Sequence, residues 1–112
     1  MNQAVKSTIQ TELKAYKATS KLKVIKFFYQ TNEHWSLMLN VIDTYYKGIV
    51  MTKSDLLLFL ECSYKTKNTY IKEAIDNKYF LTKNNPKDKR SVIITPSNKM
   101  LSQFEKYSSL IN

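Results

Sequence analysis

Between Lys65 and Lys72 the sequence reads KTKNTYIK, so that Lys65, Thr66, Lys67, Asn68, Thr69, Tyr70 and Lys72 crowd hydroxyls, an amide and ammonium groups into two helical turns. A second group, Lys83, Asn85, Lys87, Asp88, Lys89 and Arg90, surrounds Pro86 in a turn-rich connector. Neither group has a nucleophile set beside a base and an oxyanion-stabilising donor, and a chain with one glycine can hardly supply a phosphate-cradling loop. Enzymatic activity is not expected. The chemistry these residues can do is recognition: short hydroxyls and amides match base edges in a major groove, ammonium groups neutralise phosphates, and an arginine suits the negative potential of a narrow minor groove.

The first group needs a helix and the second a hairpin. Ile71, Ala74 and Ile75 recur at helical spacing, which turns Lys65, Thr66, Thr69 and Lys72 away from the packed side and predicts a helix running to about Asn77. Tyr79, just before the first β-prone run, is not a glycine, so Asn77 or Lys78 is expected in the left-handed conformation at the helix exit. Phe80-Leu81-Thr82 and Ser91-Val92-Ile93-Ile94 are β-prone runs on either side of the connector 84–90. A reading helix followed by a cationic wing is the pattern of a winged helix-turn-helix.

The flanking segments supply the rest of such a fold. Val5, Ile9, Leu13 and Tyr16 form one stripe of a helix over 3–19, whereas residues 20–31 fit neither period and leave their state open. Asn32 is a candidate cap for a central helix with the stripe Trp35, Met38, Leu39, Ile42 and Tyr46, ended by Gly48. Ile49-Val50-Met51 reads as a short strand, Thr52-Lys53-Ser54-Asp55 as a capping box, and Leu56 to Leu60 as a helix apolar on every side, wedged between others. Residues 61–64 make the turn. Thr95, with Pro96 at the first helical position, is expected to start a last helix whose apolar face is Met100, Leu101, Phe104 and Tyr107, extended by Leu110 and Ile111. The expected class is mainly α with a small β-hairpin wing (α+β), a single domain over 1–112: an N-terminal helix and connector (1–31), a winged-helix core (33–95) and a C-terminal helix (96–112).

Charge supports the assignment. The net charge is +9, and of eighteen basic residues only Arg90 is not lysine. Residues 1–30 carry six lysines against one acid and 63–90 eight bases against three acids, while 31–62 are net acidic. An anionic partner is implied where the cations concentrate, with nucleic acid ahead of a membrane surface. No apolar run is long enough for a membrane span and no signal-peptide pattern opens the chain, so a cytoplasmic protein is expected. Cys62 is the only cysteine and His34 the only histidine, which excludes an internal disulfide and leaves no ligand set for a metal; no cofactor is expected. Cys62 is expected to be a small packed residue in the turn, and His34 a solvated residue or a cap partner.

These residues carry a family resemblance. Asp88-Lys89-Arg90 running into Ser91-Val92-Ile93-Ile94-Thr95 resembles the D-x-R wing motif of the MarR/SarA-like winged-helix transcription regulators, Thr52-Lys53-Ser54-Asp55-Leu56 resembles the opening of their helix before the turn, and Ile71 with Ile75 matches their core aliphatics. The similarity covers about Glu33 to Tyr107. It implies double-stranded DNA as partner, Arg90 in a minor groove with Asp88 orienting it, and the recognition helix in a major groove; it leaves any small-molecule effector unknown. The terminal stripes Val5, Ile9, Leu13 and Met100, Leu101, Phe104 exceed what one small core absorbs, so a homodimer joined by the first and last helices is expected. A weakly specific DNA-coating protein and a winged-helix module that binds protein are the alternatives.

Overall fold

Asn2 opens the first helix, α1 (Gln3–Lys21), by accepting the Val5 amide on its side-chain oxygen at 2.8 Å. The structure, a computed structural model, describes residues 2–112. α1 buries only Ala15, Ala18 and Thr19, small side chains that let it lie close against the C-terminal helix, α6 (Asn98–Ile111). The large residues of its stripe do not serve this core: Val5, Ile9 and Leu13 remain 46%, 45% and 56% exposed.

Residues 20–31 contain a second helix, α2 (Lys23–Phe28), whose Val24, Ile25 and Phe28 have no exposed surface. Six residues are far too few for a helix to persist alone. Leu22 offers no capping side chain, and the cap comes from α6, where Gln103 Oε1 accepts the Val24 amide at 2.8 Å.

The central helix, α3 (Asn32–Tyr46), is capped by Thr31 and not by Asn32: the Thr31 hydroxyl oxygen accepts the His34 amide at 3.0 Å. Its buried face is His34, Leu37, Met38, Val41 and Ile42, so the expected stripe is rotated; Leu39 and Tyr46 are exposed. The helix ends as a Schellman motif, with Gly48 at φ 69°, its amide donating to Tyr45 C=O at 3.2 Å and the Ile49 amide to Thr44 C=O at 2.9 Å. Ile49 to Met51 do not form the expected strand. Only a bridge between Thr52 and Ile93 and a 2.8 Å bond from the Ile94 amide to Met51 C=O tie this segment to the hairpin.

Thr52 and Asp55 form the expected capping box of α4 (Lys53–Leu57), the two side chains accepting each other's backbone amides at 3.1 and 3.3 Å. The apolar run after it is not wedged on every side: Leu56 and Leu60 are buried but Leu58 and Phe59 are exposed, because a single helical turn cannot turn all its faces inward.

The helix α5 (Tyr64–Asp76) leads through 77–79 into the antiparallel pair β1 (Phe80–Asn84) and β2 (Val92–Pro96), with Phe80 opposite Pro96 and Asn84 opposite Val92. The strands reach further than expected at their far ends. Pro96 therefore closes β2 and does not start a helix; its missing N–H is tolerated at a strand end, and Ser97 caps α6 by accepting the Met100 amide at 3.1 Å.

The core lies where α2, α3, α5, β1 and α6 converge. Phe28 stacks on Phe80 at 5.4 Å, and Leu37, Met38, Leu56, Ile71 and Met100 have no exposed surface. Met100 is thus a core residue, and its burial rules it out of the subunit contact expected of it.

The exit of α5 repeats the Schellman geometry without glycine. Lys78 has φ 64°, its amide donating to Ile75 C=O and the Tyr79 amide to Ala74 C=O, each at 3.0 Å. Lysine pays for this in Cβ strain that glycine lacks, so Lys78→Gly should raise stability by about 0.5–1 kcal/mol after glycine's extra unfolded-state entropy is counted. Urea denaturation checks it; equal or lower stability would show that the strain is relieved elsewhere.

Candidate nucleic-acid interface

Ser63 sets the start of α5, its hydroxyl oxygen accepting the Thr66 amide at 3.3 Å while its proton goes to Thr66 Oγ1 at 2.9 Å. Two further polar side chains of the first turns are tied to their own helix. Asn68 Nδ2 donates to Tyr64 C=O and Thr69 Oγ1 to Lys65 C=O, both at 3.0 Å. With these bonds made, Asn68 keeps one N–H and its carbonyl oxygen, Thr69 keeps acceptor capacity, and Thr66 keeps a hydroxyl proton to give, a mixed pattern that suits base edges.

Lys65, Thr69 and Lys72 are exposed, and Thr66, Lys67 and Asn68 are half-buried. Lys72 pairs with Asp76 at 2.9 Å, but both side chains are largely in solvent, where such a pair contributes little and is readily exchanged for a phosphate. Tyr70 does not belong with them. Its ring packs against the His34 imidazole with centroids 3.9 Å apart and is partly buried against the core.

The wing tip is built by side-chain to backbone bonds. Asn85 Oδ1 accepts the Lys87 amide at 3.0 Å and Nδ2 donates to Ser91 Oγ at 2.8 Å, so Asn85 is a turn-former more than a free contact residue. Asp88 Oδ1 accepts the Arg90 amide at 3.0 Å, and Asp88 C=O accepts the Ser91 amide at 3.1 Å. The Arg90 guanidinium lies 3.7 Å from Asp88 Oδ1 with 95% of its side chain exposed, so Asp88 holds the backbone of Arg90 far more firmly than its charge. Both residues sit in the turn, before β2 begins at Val92, and not side by side on a strand. Lys87 and Lys89 are exposed beside them, and Lys83 is exposed on β1.

The stripe Trp35, Leu39, Tyr46 that the sequence assigned to the core instead lines, with Asn40, Asp43 and Phe104, an open groove of about 650 Å³ between α3 and α6. Its signal in the sequence was a stripe too broad for one buried face. Leu101 and Phe104 on α6 are half-buried, and Val5, Ile9, Leu13 and Tyr16 on α1 and Leu110 on α6 are exposed. Cys62 is half-buried, and of the two readings of His34 the structure takes the cap partner: it is 2% exposed and its amide donates to the Thr31 cap oxygen at 3.0 Å. Among the described residues no cluster of three or more His, Cys, Asp or Glu side chains could hold a metal ion, and no helix is long and apolar enough to cross a membrane.

No protein-family model and no curated protein matches this sequence. Solved structures match by fold. A MepR mutant from S. aureus bound to an oligodeoxyribonucleotide superposes with a TM-score of 0.68 at 16% identity, over 97% of this chain and 75% of that one. AbsC, a MarR family transcriptional regulator from Streptomyces coelicolor, gives 0.61 at 18% identity over 99% and 75%. A mutant MarR from E. coli complexed with operator DNA gives 0.57 at 13% identity over 94% and 70%. The chain therefore has the winged-helix fold of these proteins, as the wing motif and the helix order led one to expect.

Proposed function

We propose that this chain is a sequence-specific, double-stranded-DNA-binding transcription regulator that works as a homodimer, with α5 in the major groove and Arg90 at the wing tip in an adjacent minor groove. The observation that carries the reading is the combination of an exposed Lys65, Thr69, Lys72 face on α5 with a braced wing tip whose Arg90 side chain is 95% exposed. Each is separated from the other by only the three residues 77–79 and β1. The proteins of the same fold that are named as DNA complexes support double-stranded DNA as the partner.

Dimerisation is supported by α1. Its own core contacts are small side chains, and Val5, Ile9 and Leu13 are left about half exposed in one row. Burying each against a second copy is worth on the order of 1 kcal/mol, and two copies would set their recognition helices roughly 34 Å apart, one turn of DNA.

Titration of a labelled duplex, recovered by selection from a random pool, against salt tests the reading. Specific binding should exceed random-duplex binding by about 10³ or more, with affinity falling steeply in salt. A small ratio with the same salt slope would mean a coating protein, and no duplex binding a protein-interaction module.

The wing has its own test. Arg90→Lys keeps the charge and loses the planar, easily desolvated guanidinium, so affinity for sites with A-tract flanks should fall by about three- to tenfold with an unchanged salt slope. Lys87→Ala or Lys89→Ala should weaken binding to all sequences alike and lower the slope by about one unit. Arg90→Lys binding every flank as the parent does would leave Arg90 only a turn residue.

A further inference from the structure

The one histidine of the chain sits in the first turn of α3, and its surroundings link that turn to the recognition helix. His34 is 2% exposed, with the Phe27 ring edge-on at 5.5 Å and the Tyr70 ring of α5 tilted over it at 3.9 Å. Nδ1 is 2.7 Å from Thr31 Oγ1, the same oxygen that accepts the His34 amide. The direction of that bond follows the ring tautomer: when the Thr31 hydroxyl donates to Nδ1, the imidazole hydrogen is on Nε2. Among the described residues Nε2 has no hydrogen-bond partner, and it lies 3.7 Å from Glu73 Oε2 on α5, an ion-pairing distance too long for a hydrogen bond.

We propose that His34 positions the recognition helix through Glu73, and that duplex binding takes up a proton at this imidazole, so that affinity rises as pH falls below neutrality. The inference rests on α5 being the DNA-reading element. The charged groups facing the ring are both acidic, Glu33 on its own helix and Glu73 on α5; Tyr70 of α5 offers a π face and α2 only the apolar Phe27. Glu73 is 43% exposed on a helix otherwise presented to phosphates. An approaching polyanion repels that carboxylate toward Nε2 and at the same time favours a positive imidazole, so both effects close the 3.7 Å gap. The closed pair joins the start of α3 to the last turn of α5 and neutralises one negative charge on the DNA-facing helix.

In the free protein the balance lies the other way. Burial holds the His34 pKa below its ordinary value, against the opposing pull of Glu73 and then Glu33. A folded-state pKa below the unfolded one means that the neutral ring contributes stability above the ordinary imidazole pKa, and that this contribution is lost as pH falls through the folded value. Acid therefore loosens the free fold at this point, and DNA restores it by pairing the proton.

The test measures duplex affinity by fluorescence anisotropy at constant salt from pH 7.5 to 5.5, on the full chain and on Glu73→Gln, with NMR titration of the His34 ring in the full chain, free and with the selected duplex. A rise of one unit in the His34 pKa on binding corresponds to a gain of about tenfold in affinity at the acid end, and in Glu73→Gln, whose affinity at pH 7.5 is itself raised by the loss of a repelled carboxylate, the gain between pH 7.5 and 5.5 should fall to less than about twofold. The same pH profile in both proteins, or a His34 pKa unmoved by DNA, would overturn the inference and leave α5 as the reader intact. A chain that binds no duplex at any pH overturns both. The ring titration in the unsubstituted protein keeps the result readable even if the variant folds poorly.

Discussion

Replacing Ile9 and Leu13 together with Glu should convert the protein to a monomer and lower its affinity for a two-half-site duplex by about 10²–10⁴-fold, the loss of intramolecular engagement of the second half-site. The size of the effect follows from where these residues are. They lie on the face of α1 turned away from Ala15, Ala18 and Thr19, the side chains that dock the helix on the rest of its own chain. Two carboxylates on the outer face leave those contacts untouched but cannot be buried against a second copy without unpaired charge. Circular dichroism should therefore be unchanged while sedimentation velocity shows half the mass. A parent chain that sediments as a monomer at micromolar concentration, with and without DNA, would remove the dimer from the proposal, and a variant that stays dimeric would move its interface off α1.

The second large effect is expected on the reading face. The triple variant Thr66→Ala, Asn68→Ala, Thr69→Ala should lose about 10²-fold or more of specific affinity, at roughly 1–3 kcal/mol for each good base contact, with random-duplex affinity held within about threefold. The helix itself should survive. Alanine has the higher helix propensity, and the bonds lost from Asn68 and Thr69 run to carbonyls of the same helix that keep their backbone partners. Selection from a random pool followed by anisotropy gives both affinities; a triple variant with the parent's ratio of specific to random binding would show that α5 is not the reader.

Both predictions rest on elements that were legible before any coordinates. Helical spacing of Ile71, Ala74 and Ile75 located α5, the Thr52–Asp55 pair and Gly48 carry local cap chemistry that a short stretch of chain contains in full, and the two β-prone runs around a turn-rich connector located the wing. The lack of glycine at that exit left Asn77 or Lys78 for the left-handed region, and the structure has Lys78 there. Where the reading slipped, the deciding partner was distant. α2 had no local signal because its N-terminal cap is Gln103, seventy-nine positions away, and its stability is burial and not propensity. Pro96 is a good first residue of a helix, yet pairing with Phe80 held it in the strand and passed the cap to Ser97.

The sequence by itself determined the fold class: periodicity, caps and turn chemistry are properties of neighbouring residues, and they located every helix but α2, the hairpin and the cations on it. Tertiary structure alone decided which side of each element faces in. An amphipathic pattern announces an apolar face without naming what covers it, so α1 turned its alanines to α6 and kept Val5, Ile9 and Leu13 outside, while Met100 went wholly into the core. Tyr70 and His34 belong to the same class. An aromatic amphiphile and an imidazole can be solvated or buried with equal propriety in sequence terms, and only the approach of α3 to α5 set one ring against the other and left Nε2 facing Glu73, because burial is a relation between elements and is not written in either of them.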